Sequence, residues 1–293
     1  MASDAPIGIF DSGLGGLSVT AAIQNLLPQE NLLYFGDSAY APYGTKEPEQ
    51  IAQRCQVIGD RFMDQGVKAM VIACNTATSV CVDEMRRRYP VPVIGMEPAL
   101  KLACTRGGGQ PQRVLVTATP LTLKEAKFSR LMARFSGRHT ILTQPCPDLV
   151  TIVESDRLND QALVDATLHR YLDPYDLQTL DALVLGCTHF VFFRQSIARI
   201  CPPELALIDG NPGTARHLKD LLLHADALNQ GPDPGRVQIA NSDSSPEMLD
   251  LSERLLASCR PLTACPTSAH KLSSSAESVW NRGAHGTQRN SRH

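Results

Sequence analysis

The feature that most constrains this chain is a rhythm. Short apolar runs alternate with longer stretches of helical period along most of its length. Ile7 to Phe10, Leu32 to Phe35, Lys68 to Ala73 and Val91 to Ile94 read as buried strands. Between them, Leu17 to Leu27 reads as a helix. A second is signalled from Glu47, with Pro48 in its first turn, a stripe of Ile51, Cys55, Ile58 and Phe62, and Gly66 as its stop. Thr76 to Tyr89 is a third, ending in three arginines that suit the negative end of a helix.

The rhythm restarts after the glycines at 107–109. Arg113 to Ala118, Thr140 to Leu142, Ala182 to Leu185 and Leu205 to Ile208 read as strands. Thr122 to Phe135, Asn159 to Tyr171 and Phe190 to Ile200 read as helices. Strands separated by helices join through right-handed crossovers, so the expected class is α/β with mainly parallel sheets. The two stretches also match each other. Val71 to Thr76 and Val184 to His189 share an order: apolar strand, cysteine, small polar residues, helix. Ile7 to Asp11 and Val114 to Thr117 open the two halves. This pattern suggests a duplicated unit with one cysteine in each copy, although βαβ chains give such matches by chance as well.

Composition matters mainly for what it excludes. Lys plus Arg is 28 and Asp plus Glu is 30, so the net charge is −2, which offers no direct signal for nucleic acid. No apolar run nears the roughly 20 residues of a membrane span. The first ten residues carry Asp4 and no basic residue, unlike a secretory leader. The 9 cysteines are odd in number and none is spaced CxxC, against a disulfide framework or a structural zinc site. The chain reads as a cytoplasmic protein of two domains with no metal. Residues 271–293 are polar with few aliphatics and read as a disordered tail.

In a parallel sheet, ligands gather at the carboxyl ends of strands. Asp11, Cys74 and Cys187 stand at such ends, each followed by small residues and a helix start. Amides there favour an anion, and a helix N-terminus or imidazolium can draw a thiol down toward its thiolate. His189 is placed to partner Cys187, and Asp11 to partner the first cysteine. Each residue alone has a plainer reading. Asp11 suits a cap or an Asx turn, either cysteine suits a packed core, and His189 suits a helix start. The loop Gly13-Leu14-Gly15-Gly16 lacks the third glycine of a dinucleotide fingerprint, since position 18 is serine. No GxxxxGK[ST] occurs.

Six segments in order then carry a resemblance. They are Phe10-Asp-Ser-Gly-Leu-Gly-Gly-Leu17, Tyr34-Phe-Gly-Asp37, Ala41-Pro-Tyr-Gly44, Ala73-Cys-Asn-Thr-Ala77, Ile94-Gly-Met-Glu-Pro98 and Leu185-Gly-Cys-Thr-His189. Together they resemble bacterial glutamate racemase. The wider superfamily holds aspartate and hydantoin racemases, maleate isomerase and arylmalonate decarboxylase. The DSGLGG opening and the GCTH segment favour the glutamate branch.

The resemblance implies a cofactor-independent isomerase interconverting L- and D-glutamate and supplying D-glutamate for peptidoglycan. It implies that Cys74 acts on D-glutamate with help from Asp11, and Cys187 on L-glutamate with help from His189. Glu154 resembles the third acid, in a looser context. Ser12, Pro42, Tyr43, Gly44, Asn75, Thr76, Thr119, Thr122 and Thr188 match substrate-holding positions, as do Asp11, both cysteines and His189. Glu125 stands about where the family often has serine. The implied architecture is two pseudo-symmetric α/β domains, 1–97 with 210–270 and 98–209, with the active site in the cleft between. A homodimer is expected. Contact with a protein such as DNA gyrase, attributed to some relatives, is not legible here.

Overall fold

The computed structural model describes residues 4–259 and the two-residue strand 270–271. The strands are β1 (Ile7–Asp11), β2 (Leu32–Gly36), β3 (Ala69–Ile72), β4 (Val93–Gly95), β5 (Arg113–Ala118), β6 (Thr140–Pro145), β7 (Ala182–Leu185), β8 (Ala206–Asp209), β9 (Val237–Asn241) and β10 (His270–Lys271). The helices are α1 (Leu17–Leu26), α2 (Pro48–Asp64), α3 (Asn75–Arg88), α4 (Ala99–Thr105), α5 (Pro120–Lys124), α6 (Ala126–Ser136), α7 (Pro147–Glu154), α8 (Gln161–Leu172), α9 (Arg194–Ile200), α10 (Asn211–His224) and α11 (Pro246–Ser258).

The strands form two sheets, parallel at every pairing. The first runs β10-β9-β2-β1-β3-β4 and the second β6-β5-β7-β8. The order β2-β1-β3-β4 is repeated as β6-β5-β7-β8, so the two halves share one topology. Cys74 follows β3 and Cys187 follows β7, so each cysteine leaves the same strand of its own sheet.

Period-two alternation within the strands decides which side chains meet. Ile7, Ile9 and Val71 face one core with α1. That core runs on to Leu115, Leu183, Leu149, Val153 and Phe190 of the second half. Phe10, Phe35, Met70 and Ile72 face the opposite side, against Ile51, Cys55, Ile58 and Phe62 of α2. The far side of the second sheet, Val114, Val116 and Val184, packs on Leu100 and Cys104 of α4. This core is continuous from one half to the other.

Several expected elements differ in detail. Thr122 to Phe135 is two helices, not one. The Thr119 hydroxyl caps α5, then Glu125 takes an extended conformation (φ −64°, ψ 136°) and starts α6. Phe190 to Ile200 begins as a 3-10 turn, Thr188–Phe193, and becomes α9 only at Arg194. The strand expected from Val91 begins at Val93, because Pro92 has no N–H to give the ladder. Gly66, at φ +67°, ends α2 as expected. The sequence reading had no α4, α7, α10, β9 or α11 as separate elements. Apart from Lys271 in β10, the tail at 271–293 lies outside the described residues.

Candidate active site

Asp11, Cys74 and Cys187 stand at or just after the ends of β1, β3 and β7. Asp11 closes β1, wholly buried. Its Oδ1 accepts from the Ser12 amide (2.7 Å), and its Oδ2 accepts from the Thr188 hydroxyl (3.1 Å). Asp11 therefore touches both halves, with Ser12 on one side and Thr188 on the other. The expected direct partnership with Cys74 runs through an intermediary. The Ser12 hydroxyl lies 3.4 Å from Asp11 Oδ1 and 3.6 Å from Cys74 Sγ.

Cys74 is the N-cap of α3, where its sulfur accepts from the Ala77 amide at 3.4 Å. The sequence suggested that a helix start would draw such a thiol down. Burial dominates instead: it pushes the Cys74 thiol well up, and the negative charge of Asp11 adds to this. The Ala77 amide and Ser12 pull the other way without reversing it. These surroundings favour the protonated form of Cys74.

Cys187 faces the same cleft from the second half. Its sulfur lies 3.7 Å from His189 Nδ1, and His189 Nε2 lies 2.6 Å from Glu154 Oε1. Burial alone would push His189 down. Its contacts with Cys187 and Glu154 outweigh that and hold it well above an ordinary histidine, favouring the protonated ring. Glu154, the last residue of α7, also accepts from the Leu14 amide (2.7 Å) and the Ser38 hydroxyl (3.0 Å).

A cluster of three hydroxyls forms the floor. Thr76 Oγ1 lies 3.1 Å from both Thr119 Oγ1 and Thr122 Oγ1, which are 2.9 Å apart. Thr76 comes from the start of α3, and Thr119 and Thr122 from the turn after β5, so the cluster bridges the halves. Ser12, Pro42, Tyr43, Gly44, Asn75, Thr76, Thr119, Thr188 and His189 line one cleft with the two cysteines. Among these, Pro42 alone is exposed. Asp11 and Glu154 stand behind the lining as partners of residues in it, and Thr122 reaches it through the hydroxyl cluster. The cavity volume is about 10 Å³, room for about one water, so this is a closed cleft.

Sequence reasoning missed three contributors. Val150 lines the cleft, and Ser38 and Asn241 form a polar pair behind Glu154. Nothing in the sequence joins Ser38 to Asn241, which are 203 residues apart. Among the described residues no group of three or more His, Cys, Asp or Glu is placed to hold a metal ion. No described helix is long and apolar enough to cross a membrane.

Comparison with known proteins adds to this geometry. The family model for Asp/Glu/hydantoin racemase matches residues 7–218. A glutamate racemase of Bifidobacterium adolescentis is 56% identical over 256 residues, covering 87% of this chain and 99% of its own. One from Pseudomonas putida KT2440 is 48% identical over 231 residues, covering 78% and 85%. Among solved structures, a glutamate racemase isoform from Bacillus anthracis matches with a TM-score of 0.78 at 27% identity, over 86% of this chain and 94% of that one. A Francisella tularensis glutamate racemase solved with D-glutamate matches at 0.74 and 27%, over 92% and 97%.

Proposed function

Because the chain belongs to the Asp/Glu/hydantoin racemase family, we propose that it is an isomerase interconverting L- and D-glutamate by moving the α-proton between two cysteines. The observation that carries this is the pair of thiols. Cys74 and Cys187 leave equivalent strands of two matching sheets and line a single cleft. Racemisation needs an acid and a base on opposite faces of one carbon, and a duplicated half-site supplies them.

The surroundings of the two cysteines suit the two roles in one direction. Cys187 beside the His189 imidazolium acts as base and takes the α-proton of L-glutamate. Cys74, held as a thiol, gives its proton to the opposite face, and D-glutamate results. For the return, Cys74 must first be a thiolate, and Asp11 assists through Ser12. The carbanion is stabilised as its enediolate by the amide and hydroxyl donors of Ser12, Asn75, Thr76, Thr119, Thr122 and Thr188, with Pro42, Tyr43 and Gly44 shaping the near wall. Both proton carriers are side chains of the chain itself, so the reaction as written calls on no cofactor.

The closed cleft is too small for glutamate, so we read two lobes, 1–97 with 210–270 and 98–209, that part to admit it. The strand membership of the sheets and the contact of Glu97 with Thr214 (2.9 Å) between the two crossings support that reading. The D-glutamate formed would supply peptidoglycan, and the family resemblance makes a cytoplasmic homodimer the expected form. The decisive experiment incubates the protein with each enantiomer of glutamate and follows optical rotation. Convergence of both on the racemate is expected. No rotation change with glutamate, but a change with aspartate, would overturn the substrate.

A further inference from the structure

Glu154 is the residue that orients His189, and its second oxygen is held by a pair outside the cleft. The register of β2 and β9 sets Asn241 opposite Gly36, at the strand end from which Ser38 follows. Asn241 Oδ1 accepts from the Ser38 amide (3.3 Å) and the Asp243 amide (2.9 Å). Its oxygen is therefore engaged by two N–H groups, and its Nδ2 is turned to the Ser38 hydroxyl, donating at 3.0 Å. A hydroxyl has one proton. With Asn241 donating to its lone pair, Ser38 directs that proton to Glu154 Oε2 at 3.0 Å.

We infer that Ser38 and Asn241 are positioning residues for the chain Cys187–His189–Glu154. The inference rests on the proton-transfer reading above. Three donors then converge on one carboxylate: the Leu14 amide and His189 Nε2–H on Oε1, and Ser38 on Oε2. Because Glu154 only accepts, His189 carries a proton on Nε2 and presents Nδ1 to Cys187. Ser38 also shares the carboxylate's charge with His189, which limits how tightly Glu154 holds the imidazole proton. The other titratable groups around this chain are Cys187 on His189 Nδ1, Asp11 across Gly15, and Tyr34, whose hydroxyl donates to Gly13 O. None of them donates to Glu154 Oε2.

The test is a pH titration of His189 by NMR with labelled histidine, on the full chain and the Ser38→Ala, Ser38→Thr and Asn241→Ala variants. It needs no substrate, so it stands or falls separately from the racemase assignment. Losing the Ser38 donor leaves Glu154 a stronger acceptor, so the His189 midpoint should rise by about half to one pH unit in Ser38→Ala. Ser38→Thr, which keeps the hydroxyl, should restore it. Racemisation should show kcat down about tenfold in Ser38→Ala with KM within about twofold. If Ser38→Ala does not fold, Asn241→Ala carries the same readout, because the hydroxyl proton is then no longer aimed. A His189 midpoint that stays put or falls in the folded variant would overturn the inference. A shifted midpoint in a protein without glutamate turnover would uphold it and count against the racemase reading instead.

Discussion

Gly15 and His189 stand so close that no side chain fits between them. A Cβ on Gly15 would collide with the ring Nδ1 and with the Thr188 hydroxyl, and would lie 2.8 Å from Asp11 Oδ2. The glycine loop, which lacks the full dinucleotide fingerprint, is thus glycine-rich for another reason. Its backbone passes between the two half-sites where the Asp11–Thr188 bond joins them.

Gly15→Ala should therefore damage the site more than the fold. The added methyl must push His189 or Thr188 aside. Overpacking of this kind costs about 1–3 kcal/mol, and here the displaced groups are those facing Cys187. A drop in kcat of about a hundredfold, with a folded far-UV spectrum and a modest loss of melting temperature, is expected. Near-normal turnover would mean that the Gly15–His189 contact does not matter to the chemistry.

The hydroxyl cluster gives a second expectation. Thr76, Thr119 and Thr122 are buried and bond to one another, so a hydroxyl proton must turn out of this cluster to meet an entering carboxylate. Thr119→Val keeps the shape and removes one donor to a charged carboxylate. A hydrogen bond to a charged group is worth about 1.5–3 kcal/mol, so KM for glutamate should rise about tenfold to a hundredfold. An unchanged KM in steady-state kinetics would remove Thr119 from the substrate's contacts.

Stability should fall in alkali. Burial pushes up the thiols of Cys55 and Cys74, and those of Cys201 and Cys259 to about 11. A raised folded value means that the native state keeps its protons after the unfolded chain, near pH 8.5, has released them. The stabilisation is complete below that unfolded value and is lost as pH rises toward the folded ones. The urea midpoint should be flat from about pH 7 to 8 and decline above about pH 9. A midpoint that climbs across that range would contradict this sign.

The legible parts of the molecule were those with local signals. Strand alternation announced β1 to β8 in both halves, and Pro48 and Gly66 bracketed α2. The matched cysteine segments announced the repeated topology. The end of the chain's main body was less legible. β9 and α11 follow a loop rich in Gly, Pro and Asp, and β9 earns its place only by pairing with β2 across the chain. The same reason hid the Ser38–Asn241 pair, since a hydrogen bond between residues 203 apart has no sequence period. The charge of Cys74 is not legible because helix-start amides are visible in sequence, whereas full burial beside Asp11 is a property of the assembled fold.

The two-cysteine assignment makes the most demanding prediction. Let the reaction run in heavy water from pure L-glutamate and be stopped early. On that assignment Cys187, beside His189, should take the α-proton from one face. The hydrogen that arrives on the other face comes from Cys74, whose thiol has already exchanged with solvent. D-glutamate should carry deuterium from the first turnovers, while recovered L-glutamate stays largely unlabelled. One base serving both faces would hand some of the original proton to the product. Cys74→Ala should abolish racemisation, because no acid remains on its face, yet still exchange the α-proton of L-glutamate through Cys187. Cys187→Ala should show the reverse preference, exchanging D-glutamate. Protium carried over from L- to D-glutamate in quantity, or near-normal racemisation by either alanine variant, would remove these two residues from the mechanism.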